Sequence, residues 1–218
     1  MLRYLLGSLL LAAPVLMYAH GVDPADQAVL DNGGLPEYIW VGAKHMLTGY
    51  DHLLFLAGVV FYLTDFRDIV RFITIFTIGH SITLTGATYL GIRADEHLVD
   101  AVIALSVLYK GVENLGGFGK RSPNLLLMVF LFGLIHGFGL ATRLQAFELG
   151  DGQFLAKILS FNLGVELGQI AALVPLVFLI TRWRKHGSYP AFYKAANWYL
   201  VVAGAGLFAY QLHGYFGT

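Results

Sequence analysis

Cysteine is absent from this 218-residue chain. Its absence excludes disulfides, thiolate metal sites and cysteine nucleophiles, so any metal site must use nitrogen and oxygen donors.

Charge is also scarce. Only 13% of the residues are charged, about half the roughly 25% of an ordinary soluble domain. The formal net charge is zero, and no basic run indicates a nucleic-acid partner. The phosphate-binding pattern G-x-x-x-x-G-K-[ST] is missing too, so ATP hydrolysis is not expected.

Apolar residues dominate instead, at 57% of the chain. Segments of about 18 residues or more, with few charges, are long enough to cross a ~30 Å hydrocarbon core as helices. We therefore predict an all-α fold, a polytopic membrane bundle of six transmembrane helices occupying residues 45–218. These segments lie at about 46–64, 70–91, 98–117, 124–142, 154–181 and 195–215.

The N-terminus has the pattern of a cleaved secretory signal. Arg3 precedes an apolar run that ends near Ala19, which fits the basic, apolar and small-residue regions of a signal peptide. Residues 1–19 are therefore predicted to be a signal peptide and residues 20–44 a periplasmic segment.

Basic residues indicate the orientation, because cytoplasmic loops are enriched in Lys and Arg. The predicted multi-pass protein lies in the bacterial inner membrane, in contact with lipid, with its mature N-terminus outside. The basic residues assigned to the cytoplasmic side are Arg67, Arg71, Lys120, Arg121, Arg182, Arg184, Lys185 and Lys194.

Ionisable residues recur inside the apolar segments, where they are costly and usually functional. The first segment opens with His45, Asp51 and His52. Seven residues make nearly two helical turns, so His45 and His52 are expected on one face. Asp51 points elsewhere on that helix, and it either bonds a neighbouring imidazole or binds an ion through a backbone distortion at Gly49.

Further polar residues occur at similar predicted depths in three other segments. His80 lies in the second segment and His136 in the fourth. The fifth carries Asn162, Glu166 and Gln169 on one face, at i, i+4 and i+7. Imidazole and carboxylate together suit nickel, zinc, cobalt or iron. The predicted metal ligands are His45, Asp51, His52, His80, His136 and Glu166, and we expect Asn162 and Gln169 to hold ligands in place.

At these residues the chain resembles the HupE/UreJ family, membrane proteins associated with hydrogenase and urease gene clusters. The matching stretches include His45-x5-Asp51-His52, Gly79-His80-Ser81, the His136-Gly-Phe-Gly run, and Asn162 with Glu166 and Gln169. A weaker similarity links the first stretch to the His-x4-Asp-His signature of nickel/cobalt permeases, which has one residue fewer. The resemblance implies a divalent ion as cargo, nickel or cobalt, with zinc a further option. It also implies hydrogenase or urease maturation proteins as partners, and a homo-oligomer stays open.

The leading hypothesis is a permease, not an enzyme, whose metal ion passes through a pathway lined by histidine and carboxylate. Since neutral imidazole is the ligand form, acid should weaken binding. Two alternatives remain. The same residues can hold a catalytic zinc that activates water within the membrane, or the chain can be a membrane assembly subunit of a metalloenzyme.

Overall fold

A computed structural model describes residues 26, 29–31, 33–145 and 153–217, and within these ranges the chain is helical with no strand. The predicted all-α class is therefore confirmed. The predicted signal peptide, residues 1–19, lies outside the described residues. The helices are α1 (Leu35–Thr48), α2 (Tyr50–Val59), α3 (Phe66–Leu90), α4 (Glu96–Asn114), α5 (Leu125–Leu144), α6 (Phe154–Trp183) and α7 (Tyr189–Gly217), with a short 3₁₀ turn at Gly119–Arg121.

The first predicted segment, 46–64, is not one helix, and this prediction was wrong. α1 begins earlier, at Leu35, so the predicted periplasmic segment 20–44 includes its first ten residues. The chain then leaves helical geometry at Gly49 (φ −67°, ψ 108°) and re-enters it at Tyr50. Because α1 has 14 residues and α2 has 10, neither reaches the roughly 20 residues that a spanning helix needs.

Three described helices are long and apolar enough to cross a membrane, where six were predicted. They are Phe66–Leu90, Leu125–Thr142 and Leu155–Trp183. The count was too high by three, for three reasons. α7 is long enough but less apolar, because Asn197, Gln211 and His213 lie along it. α4 carries four charged residues, at Glu96, Asp100, Lys110 and Glu113, while the first segment is divided at Gly49.

The helices pack chiefly as three pairs, α3 with α5, α1 with α6 and α4 with α7. Glycine allows their backbones to approach closely. A Cβ at Gly137 of α5 would lie 2.2 Å from the carbonyl oxygen of His80 on α3, and one at Gly164 of α6 would lie 2.0 Å from that of Ile39 on α1. Any larger side chain there would therefore force the pair apart.

The pairs meet around α2, whose residues contribute to the centre of the bundle. Phe55 is 1% exposed and lies among aromatic rings from α3 and α5. Near the C-terminal end of α2, Gly58 lies against α4, because a Cβ there would be 3.0 Å from the Cβ of Lys110. The Gly49 break and α2 thus bring Asp51 and His52 into the interior.

Candidate metal centre

The break at Gly49 brings His45 and His52 together. On a straight helix, residues seven apart are separated by about 10.5 Å of rise, yet these imidazole centroids lie 5.0 Å apart in a T-shaped arrangement. The change of direction at Gly49 therefore produces a contact that helical periodicity alone does not supply. His45 is half-buried and its ring also contacts Phe161 on α6, at 5.9 Å.

Asp51, His52 and His136 form a compact group of ligand atoms. One such atom from each residue lies within 4.8 Å of the others, and all three residues are buried. The His52 and His136 ring centroids are 4.9 Å apart. Tetrahedral donors that share one ion at about 2.1 Å stand about 3.4 Å apart, so closing around a metal requires the widest pairs of these atoms to approach by up to about 1.4 Å.

Hydrogen bonds select the ring nitrogen that each of these imidazoles presents. His136 Nδ1 lies 2.7 Å from the carbonyl oxygen of Phe132. A carbonyl only accepts, so Nδ1 carries the proton and Nε2 keeps a free lone pair. His52 Nδ1 lies 2.8 Å from Asp51 Oδ1, which selects Nε2 in the same way. A histidine held by a carboxylate or a carbonyl on one nitrogen is the usual arrangement of a metal ligand.

Asp51 contributes more than one contact to this arrangement. Its Oδ1 also accepts a hydrogen bond from the backbone N–H of His52, at 2.7 Å. Asp51 and His52 are 4% and 5% exposed, so the carboxylate brings negative charge into a nearly dry site. That charge favours a cation there, either as a direct ligand or by making the His52 imidazole a better donor.

His80 and Asn162 form a second polar pair beside the group. His80 Nδ1 lies 2.9 Å from Asn162 Oδ1, joining α3 to α6, and Nε2 of His80 has no hydrogen-bond partner among the described residues. Phe76 stacks on the His80 ring at 6.1 Å and meets the His136 ring at 5.3 Å. One phenylalanine therefore separates this pair from the three-residue group.

The remaining predicted residues lie outside the three-residue group. Glu166 is half-buried on α6, and its role as a ligand remains a prediction. Gln169 is completely buried, and neither of its side-chain polar atoms has a hydrogen-bond partner in the described part of the chain. Since an unpaired buried amide is costly, Gln169 is suited to meet water or a passing ion.

Aromatic rings close the group on one side. Phe55 contacts Phe132 at 5.2 Å, Phe76 at 6.0 Å and the His136 ring at 5.7 Å. Phe72 extends the cluster, at 6.1 Å from Phe55. In this conformation the His136 imidazole therefore packs against a hydrophobic layer. We call this layer the aromatic floor: Phe55, Phe72, Phe76 and Phe132.

Two imidazoles and one carboxylate without thiolate make a donor set for a borderline divalent ion such as nickel, cobalt or zinc. One family of known proteins matches the chain. The model of the HupE / UreJ protein family matches residues 26–218. The chain belongs to the HupE/UreJ family. This confirms the resemblance over nearly the whole chain, and membership of a family of membrane proteins agrees with the three helices that are long and apolar enough to cross a bilayer. No curated protein and no solved structure matches it.

Sequence reasoning missed two features of the site and left a third open. The Phe132 carbonyl that orients His136 follows from the i−4 geometry of α5 and could have been anticipated from the helix alone. The contacts of Phe55 and Phe76 with His136 cross between helices, so no sequence spacing reveals them. The role of Gly49 as a helix break was considered only as one option, because glycine is common in membrane helices.

Proposed function

We propose that this HupE/UreJ protein transports a divalent transition-metal ion across the bacterial inner membrane, with nickel as the cargo and cobalt as the nearest substitute. The observation that carries this proposal is the buried Asp51, His52 and His136 group. Such a group is costly in an apolar protein unless a cation uses it. Imidazole donors favour nickel and cobalt over magnesium or calcium.

The route begins on the outer side. Half-buried His45 contacts His52, so it can receive an ion before the ion reaches the deeper ligands. Asp51 compensates part of the charge as the ion loses water, and the Nε2 atoms of His52 and His136 replace the lost water ligands. His80 Nε2, which has no hydrogen-bond partner among the described residues, offers a further ligand on the proposed route.

A permease must hold its ion long enough to select it and loosely enough to release it. Two imidazoles and one carboxylate are fewer ligands than the four of a closed structural zinc site. An incomplete set of protein ligands leaves coordination positions for water, and this speeds binding and release of the ion. In the proposed route the aromatic floor lies on the cytoplasmic side of the group, and it closes that side in this conformation.

The test is uptake of radioactive nickel into proteoliposomes containing purified protein. Saturable uptake is expected for the unaltered chain, and His52→Ala should reduce its rate at least tenfold. The matched control is His186→Ala, which removes an exposed histidine beyond the end of α6 and should transport normally. Equal uptake by both variants would remove His52 from the pathway.

The same preparation distinguishes the alternatives. Stoichiometric metal that stays bound with no flux would indicate a fixed metal site and redirect the search to hydrolysis of lipids or peptides. Stable co-purification with hydrogenase or urease maturation proteins, without metal binding by the chain alone, would indicate an assembly subunit. We favour transport, because the group is buried among helices suited to a bilayer.

A further inference from the structure

A second charged site lies on α4, apart from the imidazoles. Lys110 and Glu113 form a direct ion pair, with Nζ donating to Oε2. Lys110 is 1% exposed and Glu113 is 7% exposed. The pair lies in the last two turns of α4, near the predicted cytoplasmic end of the helix.

This pair is poorly explained as a structural support. Both charges belong to one helix, three residues apart, so their attraction does not hold two helices together. Such pairs add little to the stability of a helix, whereas removing two ions from water is expensive. Asn114 does join helices, through the Gly58 carbonyl and Asn197, without needing a charge.

The surroundings of the Lys110 ammonium have the character of a cation site. The Tyr62 ring lies 4.0 Å from Nζ, in cation–π geometry. The Tyr109 hydroxyl donates to Glu113 Oε1 at 3.1 Å. Asn114 lies one turn from Lys110, and its buried Oδ1 has no hydrogen-bond partner in the described part of the chain. A carboxylate oxygen and an aromatic face thus contact the ammonium, and the Tyr109 hydroxyl binds the other oxygen of the same carboxylate.

Contacts connect this site to the metal group through the aromatic floor. The Tyr109 ring lies 5.8 Å from Phe132, which meets Phe55, and Phe55 meets the His136 ring. Along α2, Gly58 at the Lys110 side chain follows His52 by six residues, a rise of about 9 Å. The two sites therefore lie on opposite sides of the floor.

We propose that Glu113 is an inner cation-binding station on the transport route, occupied in this conformation by the ammonium of Lys110. The inference rests on the proposed transport function. The lysine acts as a tethered cation that an arriving ion displaces when the floor opens. Oxygen donors hold nickel less tightly than imidazole does. An ion that passes from the outer imidazoles to the inner Glu113 carboxylate is therefore bound less tightly at each step, and this order favours its release.

The test asks whether removing the tethered cation exposes a cation site. Mn²⁺ is the probe, because it accepts oxygen ligands and its free ion gives an electron paramagnetic resonance signal that is lost on binding. In a His52→Ala background, which impairs the outer group, Lys110→Met should bind one further Mn²⁺ per chain. Lys110→Arg keeps a tethered cation and should not, and Lys110→Met with Glu113→Gln should lose the added site.

A folded Lys110→Met protein with no added Mn²⁺ binding, or with binding that survives Glu113→Gln, would overturn the proposal. If Lys110→Met does not fold, Glu113→Gln alone decides the question. It should leave equilibrium nickel affinity within twofold of the unaltered protein and slow nickel uptake at least tenfold, and unchanged uptake would reject the inner station. Loss of the proposed transport function is distinguishable, because then the unaltered protein itself shows no nickel uptake.

Discussion

Replacing Gly49 by alanine tests the site with little disturbance of the fold. Gly49 has a negative φ of −67°, a conformation that alanine adopts without strain. The added Cβ, however, would lie 2.7 Å from His52 Nδ1, 3.0 Å from the carbonyl oxygen of His45 and 3.1 Å from Asp51 Oδ1. An ordinary contact with carbon is about 3.5 Å, so the imidazole must move by about 0.8 Å.

That movement acts on the hydrogen bond that orients His52. Loss of such a supporting contact typically lowers metal affinity by about 10- to 100-fold, or about 1.4–2.8 kcal/mol. Stability should change little, because alanine restricts the unfolded chain and contributes about 0.4–1 kcal/mol at a compatible position. We therefore expect weakened nickel binding together with a melting temperature close to that of the unaltered protein.

Equilibrium dialysis with nickel, paired with thermal unfolding in detergent, measures both quantities. Gly86→Ala is the matched control, because a Cβ at Gly86 on α3 meets no atom within 4 Å, and its affinity should be unaltered. If Gly49→Ala binds nickel as tightly as Gly86→Ala does, the position of the His52 imidazole does not control nickel affinity. A large loss of folded protein in Gly49→Ala alone would show instead that the break supports the fold.

Two further predictions follow from the contacts described above. Asp51→Asn keeps an oxygen near His52 but removes the charge, so nickel affinity measured by dialysis should fall about 10- to 100-fold, and unchanged affinity would contradict a role for the carboxylate. Gly164→Ala would place a Cβ 2.0 Å from the Ile39 carbonyl oxygen and should destabilise the protein by about 1–3 kcal/mol or more. Thermal unfolding would measure this, with Gly206→Ala, which meets no atom within 4 Å, as the neutral comparison. Equal melting temperatures for those two variants would contradict the close packing of α1 and α6.

Much of the helical layout was accessible from the sequence. The lengths of the apolar runs and the polar loops between them predicted five of the segments, and a helix occupies most of each. These segments are 70–91, 98–117, 124–142, 154–181 and 195–215. The first segment failed because average hydropathy across 46–64 does not register a single residue that leaves helical geometry. One extended ψ at Gly49 changes the direction of everything that follows it.

The site was only partly accessible, because it depends on how separate helices are arranged. Periodicity could suggest that His45 and His52 are neighbours, although the break creates their contact. The bond between His80 and Asn162 joins residues 82 positions apart. Counting residues from the end of each predicted segment could place these residues at similar depths, but it could not show which helix faces contact one another. For the same reason it could not distinguish the placement of Glu166 from that of His136.

X-ray absorption at the nickel edge reports the ligands of the bound ion. It therefore shows whether His52 and His136 bind nickel. Outer-shell scattering from at least two imidazoles is expected in the unaltered protein. His136→Ala should remove one of them, while His186→Ala should change nothing. A nickel ion surrounded only by oxygen, with a spectrum that His136→Ala leaves unchanged, would contradict the assignment of Asp51, His52 and His136 as the metal centre.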